Sequence, residues 1–510
     1  MGIAAISLKA ADLDTVGVTL LRQVDPALQG TGVPVAQVEA PLYFNPTPPF
    51  ETDPAAVAQP TSLFTWISSF GSATTYPNIV GVDSSHADEV ARRFYGTAYG
   101  IATNVSHVDS YEAEFFYTNI AAGPGAPFIS DKIVNQSFVF SGLTTSEQSS
   151  VEQDFDDYAA TRGVLFVSGA GNGGAVLAPA SSYNGIGVGV YDGGSSVGPT
   201  ADGRSKPDLT APGGLTSFST PYVSGSAAVL LQAANRGDGG ANTNSAHDIR
   251  TLKALLLNGA AKLNGWTNGT TTPLDARYGA GIVNVFNSWK QLQGGQHPFI
   301  ETTANSLGNP HPPGGNTNNE PALSGWDFNA LTNGHTGMTY NTEQVNHYYF
   351  NLPGNINYTL TTTLAWDRHA GSNSLNDLNL FLYNANSNLV VCSTSMVDNV
   401  EHLFLKNLPP GRYDLQVQKN PGIRVSADET YALAFEFFCL NLKINLTNSD
   451  AVISWPIYPT GFRLEAATTL TPPVSWSTVS APVVVDTNTS QNLVTVPLSE
   501  TNQFFRLQRP

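Results

Sequence analysis

Hydrophobic and polar positions change rhythm three times along this chain. In the first 298 residues, short and predominantly apolar runs at 33–38, 133–139 and 164–168 are too short for helices. They read as strands buried on both faces, as in a parallel sheet. Between them, residues 90–99, 146–162, 220–234 and 249–263 follow helical spacing. Strand and helix in alternation predict an α/β domain with a doubly wound, mostly parallel sheet over residues 1–298. Residues 299–324 are rich in Asn, Pro and Gly, including Asn309, Pro310, Pro312 and Gly314, and read as a linker. From Gly325 the pattern becomes a series of alternating strands such as YTLTTTLAW and YALAFEF, which predicts an antiparallel β-sandwich over 325–439. A second, smaller all-β unit is expected over 440–510. A chain of 510 residues fits about three domains at roughly 150 residues each.

Candidate chemistry is concentrated in the first region. Residues 198–230 pass from a Gly/Pro-rich loop into Thr216-Ser217-Phe218-Ser219-Thr220-Pro221 and then into a small-residue helix. A serine at a helix start sits among unpaired N–H groups at the positive end of the dipole. An oxyanion formed beside it meets donors already in place. A capping role alone accounts equally well for an isolated serine there.

The neighbouring residues carry more. Residues 198–213 read G-P-T-x-D-G-R-x-K-P-D-L-x-A-P-G, and Thr216, Ser217, Thr220, Pro221, Val223 and Gly225 fit G-T-S-M-A-T/S-P-H-V-x-G. The stretch resembles the nucleophile block of the subtilases, the subtilisin-like serine peptidases. Leu215, Phe218 and Tyr222 depart from that pattern, and the two parts lie closer together than is usual in the family. Upstream, His86 with Val90-Ala91 resembles the family's H-G-T-x-V-A helix start, with Ala87 and Asp88 replacing Gly and Thr; Gly100-Ile101-Ala102 resembles its G-V-A. Residues 30–38 resemble the first core strand, G-x-G-V-x-V-A-V-I, after which the family has Asp and this chain has Glu39. Residues 163–167 form an apolar strand leading to Gly169-Ala170-Gly171-Asn172, similar to A-A-G-N, and residues 278–284 resemble a closing Y-G-x-G-x-V-N segment.

The resemblance implies a serine endopeptidase with Ser217 as nucleophile, His86 as general base, Glu39 as the orienting carboxylate and Asn172 as oxyanion donor. Asp83 is a poor substitute for Glu39, lying three residues from His86 and off the core strand. Separations of 47 residues from Glu39 to His86 and 131 from His86 to Ser217 imply a compact catalytic domain. Residues 133–137 resemble the V-I-N-x-S strand beside which substrate lies extended, which implies backbone pairing along it, with Phe138 and Phe140 shaping the pocket; Ser137, Phe138, Phe140, Gly169, Ala170 and Gly171 are the expected substrate-binding residues. Sedolisins also use a Ser-Glu pair, but His86 and Asn172 follow the subtilase pattern. A second reading is a non-catalytic subtilase scaffold acting as a binding or surface protein, suggested by Glu39 and the lost glycines at Ala87 and Leu215.

Composition narrows the setting. Net charge is −17, which argues against nucleic acid and anionic membrane as partners; polypeptide substrates and a monomer are expected. Charged residues are only 12% of the chain, the balance being Asn, Thr, Ser, Gly and Pro, which suits an extracellular or cell-surface protein. No apolar run is long enough for a membrane span. The first 14 residues lack a basic region and a long apolar core, so they do not read as a complete signal peptide, and Ile6 stands where a myristoylation site requires Ser or Thr. The two cysteines, Cys392 and Cys439, could pair. No cofactor is required, and no metal is assigned. Trp366-Asp367, Asp377-Leu378-Asn379-Leu380 and Pro410-Gly411-Arg412-Tyr413 resemble β-sandwich domains that follow the catalytic domain of secreted bacterial peptidases. Some of those bind calcium, making Asp367, Asp377 and Asn379 possible oxygen ligands, with surface turns the simpler reading. Residues 440–510 resemble a C-terminal repeat of secreted proteins from environmental bacteria, which implies attachment, carbohydrate contact or a spacer.

Overall fold

The computed structural model describes residues 11–41, 47–123, 125–299, 321–332, 345–420, 425–498 and 502–508. Residues 1–10 of the segment read for signal character and residues 300–320 of the expected linker lie outside these residues.

Among the described residues, ten strands precede residue 212: β1 (Pro34–Glu39), β2 (Pro49–Glu51), β3 (Phe64–Ser68), β4 (Gly71–Ala73), β5 (Val82–Asp83), β6 (His107–Glu112), β7 (Ile133–Gln136), β8 (Leu165–Gly169), β9 (Ile186–Val190) and β10 (Leu209–Ala211). Eight form one sheet in the order β10-β9-β8-β7-β1-β6-β3-β4, parallel except for β3 with β4. The chain lays β3 and β6 on one side of β1, then crosses to build β7 through β10 on the other. The order reverses at β1, and the crevice beyond the carboxyl ends of β1 and β7 is where such sheets place their sites. Glu39 ends β1, and Ser137 directly follows β7.

Several elements differ from the sequence reading. The His86 helix spans Ser85–Phe94 rather than 90–99, because the Ser84 hydroxyl caps the Ala87 N–H and the helix ends at Tyr95. The Ser217 helix spans Thr216–Arg236, with Pro221 in its interior rather than at its start. The helix Thr145–Arg162 is close to expectation and carries a capping box between Thr144 and Glu147. The helix Ile249–Asn258 ends five residues early, at Gly259. Gly225 lets the Ser217 helix pack tightly: a Cβ there would come within 2.5 Å of Ile101.

After residue 323, two four-stranded antiparallel sheets face each other. One is built from Ser324–Thr332, Asp428–Phe438, Tyr358–Trp366 and Val400–Leu408, the other from Val345–Leu352, Gly411–Lys419, Leu378–Asn384 and Leu389–Ser393. Leu360, Leu364, Leu380, Leu415, Leu433 and Phe435 fill the space between them. Two small sheets from Lys443 onward enclose Ile453, Trp455, Leu464 and Val494. The first sandwich sheet packs on the helix Ile249–Asn258 through buried polar groups. Thr361 and Thr363 donate to the Asn258 Oδ1 at 2.9 and 3.2 Å, and Arg368 lies 3.2 Å from the buried Asp156. Cys392 lies on the strand Leu389–Ser393 and Cys439 just past the end of Asp428–Phe438, in the other sheet; both are unbridged, so the pairing left open by the sequence does not form. Among the described residues no group of three or more His, Cys, Asp or Glu is set to hold a metal; Asp367 faces Arg250 at 3.6 Å, and Asp377 accepts from Asn420 at 2.8 Å.

Candidate functional site

Glu39 is almost wholly buried at the end of β1, and its Oε2 accepts from His86 Nδ1 at 2.7 Å. Its Oε1 accepts from Gln37 Nε2 at 2.9 Å, so both carboxylate oxygens are engaged. His86 occupies the first turn of its helix and keeps about a fifth of its side chain exposed. Burial disfavours its imidazolium, but the charge of Glu39 and the hydrogen bond to it outweigh that, and the pKa stands above the usual imidazole value. Asp83, by contrast, lies on the short strand β5 and is exposed.

The His86 ring lies 5.8 Å from the ring of Phe218, the residue after Ser217, and the Arg93 guanidinium sits over the Phe218 ring at 4.5 Å. Phe218, where the resembled pattern has Met, thus ties the imidazole to the nucleophile's turn. Among the described residues no hydrogen bond links His86 to Ser217. Instead Ser217 Oγ donates to the Ser137 carbonyl at 3.2 Å, and Ser137 Oγ donates to the Ser217 carbonyl at 3.0 Å. The second bond has a cause in Pro221. Proline has no N–H, so it cannot serve the carbonyl four residues back, which is that of Ser217. Ser137 takes over that carbonyl. Ser137 Oγ is in turn held by Asn135 Nδ2 at 3.0 Å, and Asn135 Oδ1 by Ser224 Oγ at 2.9 Å.

Asn172 is exposed at the turn after β8. Its Oδ1 accepts from the Thr216 N–H at 2.9 Å and from Thr216 Oγ1 at 3.1 Å, which leaves its Nδ2 donors unengaged by any described residue. Ser196 braces the turn on both flanks, its N–H donating to the Gly171 carbonyl at 2.9 Å and its Oγ to the Gly173 carbonyl at 2.9 Å. Gly171 has φ +106°, and a Cβ there would meet Ser196 Oγ at 2.6 Å. The Ser217 N–H, in the first turn of its helix, also has no acceptor among the described residues. Two free donors of different kinds therefore flank the serine.

The proposed substrate residues divide. β7 is paired with β1 on one side and β8 on the other, so a peptide has no free edge along residues 133–136. Backbone pairing there, expected from the sequence, is excluded by the sheet itself; only the extension from Ser137 onward is open. Within that extension the Phe140 N–H is taken by the Ala178 carbonyl at 2.8 Å. The Phe140 ring packs on Tyr117 and Phe155, with centroids at 5.2 and 6.4 Å, and Phe138 meets Phe140 edge-on at 5.7 Å. Gly169, Ala170 and Gly171 are buried opposite, at the end of β8, with the Ala170 N–H bonded to the Val188 carbonyl.

Sequence reasoning missed Gln37, Thr216, Ser196 and the Asn135–Ser224 pair. Gln37 had a signal: it is a polar residue inside an apolar strand, two positions before Glu39 and so on the same face.

Residues 118–281 match the family model described as the subtilase family. That match includes Ser137, Asn172 and Ser217 but stops short of Glu39 and His86, where the chain departs from the family pattern. Pyrolysin of Pyrococcus furiosus is 33% identical over 129 residues, covering 21% of this chain and 9% of that protein. The chain thus spans about a tenth of that relative's length. Among solved structures, tripeptidyl peptidase II aligns with 76% of this chain and 43% of its own at 13% identity and a TM-score of 0.29. A psychrophilic subtilisin-like protease from an Antarctic Pseudoalteromonas aligns with 55% of this chain and 97% of its own at 12% identity and a TM-score of 0.38.

Proposed function

We propose that this chain, whose residues 118–281 match the subtilase family model, is a serine endopeptidase that cleaves polypeptides outside the cell. The observation that carries the reading is the 2.7 Å bond from His86 Nδ1 to the buried Glu39 carboxylate, at the carboxyl end of the central strand. A histidine so held presents Nε2 as its basic nitrogen. A rotation of Ser217 about χ1 releases the Ser137 carbonyl and turns Oγ toward that nitrogen. Ser217 then attacks the peptide carbonyl, and His86 takes the hydroxyl proton and passes it to the leaving amine. The new oxyanion is met by the Ser217 N–H and the Asn172 amide, the two donors without partners. Glu39 keeps the imidazole in the Nδ1–H tautomer and stabilises its charged form. The low share of charged residues supports action outside the cell. In this reading the α/β region, residues 1–298, carries the reaction, 299–324 links it to the sandwich at 325–439, and 440–510 is an accessory unit.

One observation favours the scaffold alternative: Ser217 Oγ is bonded to Ser137 and not to His86. A dye-labelled unfolded protein separates the two. Internal cleavage by the wild-type chain and none by Ser217→Ala fits the peptidase. No cleavage by folded wild type, or equal cleavage by both, overturns it.

A further inference from the structure

The carboxylate of this site is one methylene longer than the aspartate of the pattern it resembles, and so has one more torsion to fix. Gln37 has the geometry to fix it. The pattern quoted for residues 30–38 has valine at the position of Gln37, so the two departures at 37 and 39 lie on the same face of one strand. Gln37 is fully buried. Its Nε2 donates one hydrogen to Glu39 Oε1 at 2.9 Å and the other to the carbonyl of Ala87, the residue after His86, at 3.0 Å. Both amide hydrogens are therefore spent, one on the carboxylate and one on the first turn of the histidine helix.

The orientation of that amide is itself determined. Tyr95 OH donates to Gln37 Oε1 at 2.6 Å. Tyr95 is fully buried, and burial pushes its phenol far above the usual range, so the hydroxyl stays a donor. A donor on Oε1 makes Oε1 the acceptor and leaves Nε2 facing Glu39. Tyr95 closes the same helix that His86 opens. The sequence Tyr95, Gln37, Glu39, His86 is thus a closed polar circuit joining β1 to both ends of one helix, with every buried polar atom on it paired.

We propose that Gln37, oriented by Tyr95, is a positioning residue that sets the torsion of Glu39 and allows a glutamate to serve where the shorter acid is expected. It rests on the peptidase reading. Gln37 never meets substrate; it acts by keeping Oε2 on His86 Nδ1. Without it, Oε1 is a buried carboxylate oxygen without a donor, and Glu39 turns to find one. A displacement of ~1 Å in such a group costs up to roughly 100-fold.

The test is steady-state hydrolysis by the full chain carrying Gln37→Leu, Tyr95→Phe, Glu39→Gln and the double variant Gln37→Leu/Glu39→Gln. Gln37→Leu is expected to lower kcat by roughly 10–100-fold with KM within about twofold, and Tyr95→Phe by a smaller factor in the same direction. Once Glu39 is Gln, the further loss from Gln37→Leu is expected to fall below about threefold, because the carboxylate that Gln37 positions is gone. A merely structural glutamine costs the same factor in both backgrounds, and that result overturns the proposal. So does a Gln37→Leu enzyme as fast as wild type. If Gln37→Leu does not fold, the conservative Tyr95→Phe decides: unchanged kcat refutes the circuit. Inactive, folded wild type defeats the peptidase reading itself, and is distinct from all of these outcomes.

Discussion

Replacing Glu39 by Gln keeps the shape of the side chain and removes its charge, and the consequences can be worked from the site. Glu39 accepts two hydrogen bonds, from His86 Nδ1 at 2.7 Å and Gln37 Nε2 at 2.9 Å. A glutamine offers one acceptor and one donor in their place. If its oxygen stays on His86, its NH₂ faces the NH₂ of Gln37. If its oxygen goes to Gln37, its NH₂ faces Nδ1 and forces the proton onto Nε2, the nitrogen that must accept from Ser217. Either arrangement loses the imidazolium's counter-charge, worth about 4 kcal/mol for unit charges ~4 Å apart at an effective dielectric of ~20. That is about 10³ in rate, within the ~10²–10⁴ range for carboxylate losses in triads. The pH profile gives a second, independent readout. Burial alone lowers the His86 pKa, and only Glu39 raises it above 6.5. In wild type the acid limb of kcat/KM is therefore expected above 6.5, since neutral His86 is the active form; in Glu39→Gln it is expected below 6.5. Initial rates on a chromogenic peptide across that range measure both. A loss under tenfold with an unmoved acid limb refutes the assignment of Glu39.

Three further outcomes are expected. Asn172→Ala removes the amide beside Ser217 and is expected to lower kcat by roughly 10²–10³ with KM little changed, measured on the same peptide; a loss in KM alone makes Asn172 a substrate contact instead. Asp131 is buried, and burial, then the nearby Asp109, pushes its pKa up to about 8. A raised carboxyl pKa means stability that is full below the unfolded value of about 3.9 and is lost as pH rises through about 8. Melting temperatures between pH 4 and 9 are therefore expected to fall more steeply for wild type than for Asp131→Asn, and parallel slopes contradict this. Truncation after residue 298 strips Asp156 of Arg368 and Asn258 of Thr361 and Thr363 and opens to water a face that the sandwich now covers. The truncated chain is expected to melt well below the full chain, although it contains every proposed catalytic residue; an equal melting temperature by calorimetry contradicts the role of this interface.

The sequence made the buried strands of the central sheet legible where a short apolar stretch carries them: Val35, Ala36 and Val38 in β1, Ile133 and Val134 in β7, and Leu165, Phe166 and Val167 in β8. It hid β6, whose residues HVDSYE mix charge with apolar side chains, and β3, because edge-side strands carry no continuous apolar run. Helix starts were hidden where a local rule is overridden by a distant partner. Pro221 looks like the first residue of a helix, yet it sits inside one, because Ser137 supplies the bond that proline cannot. The candidate residues were legible as single positions with characteristic neighbours. Their support was not. Thr216 on Asn172, Ser196 on the turn and Gln37 on Glu39 are contacts between residues from two to 44 positions apart, and only the folded chain brings most of them together. The interface between the α/β region and the sandwich was hidden for the same reason. Asp156 and Arg368 are 212 positions apart and read separately as surface charges.

The central claim is that Ser217 is an activated nucleophile. A fluorophosphonate reacts with a serine whose hydroxyl is deprotonated by a neighbouring base, and leaves ordinary hydroxyls untouched. The folded chain, treated with the probe and digested, is expected to carry one adduct, mapped by mass spectrometry to the peptide containing Ser217. The adduct is expected to vanish in Ser217→Ala and to form at least roughly 100-fold more slowly in His86→Ala. Folded wild-type protein that takes up no probe, or takes it up on another serine, contradicts the account.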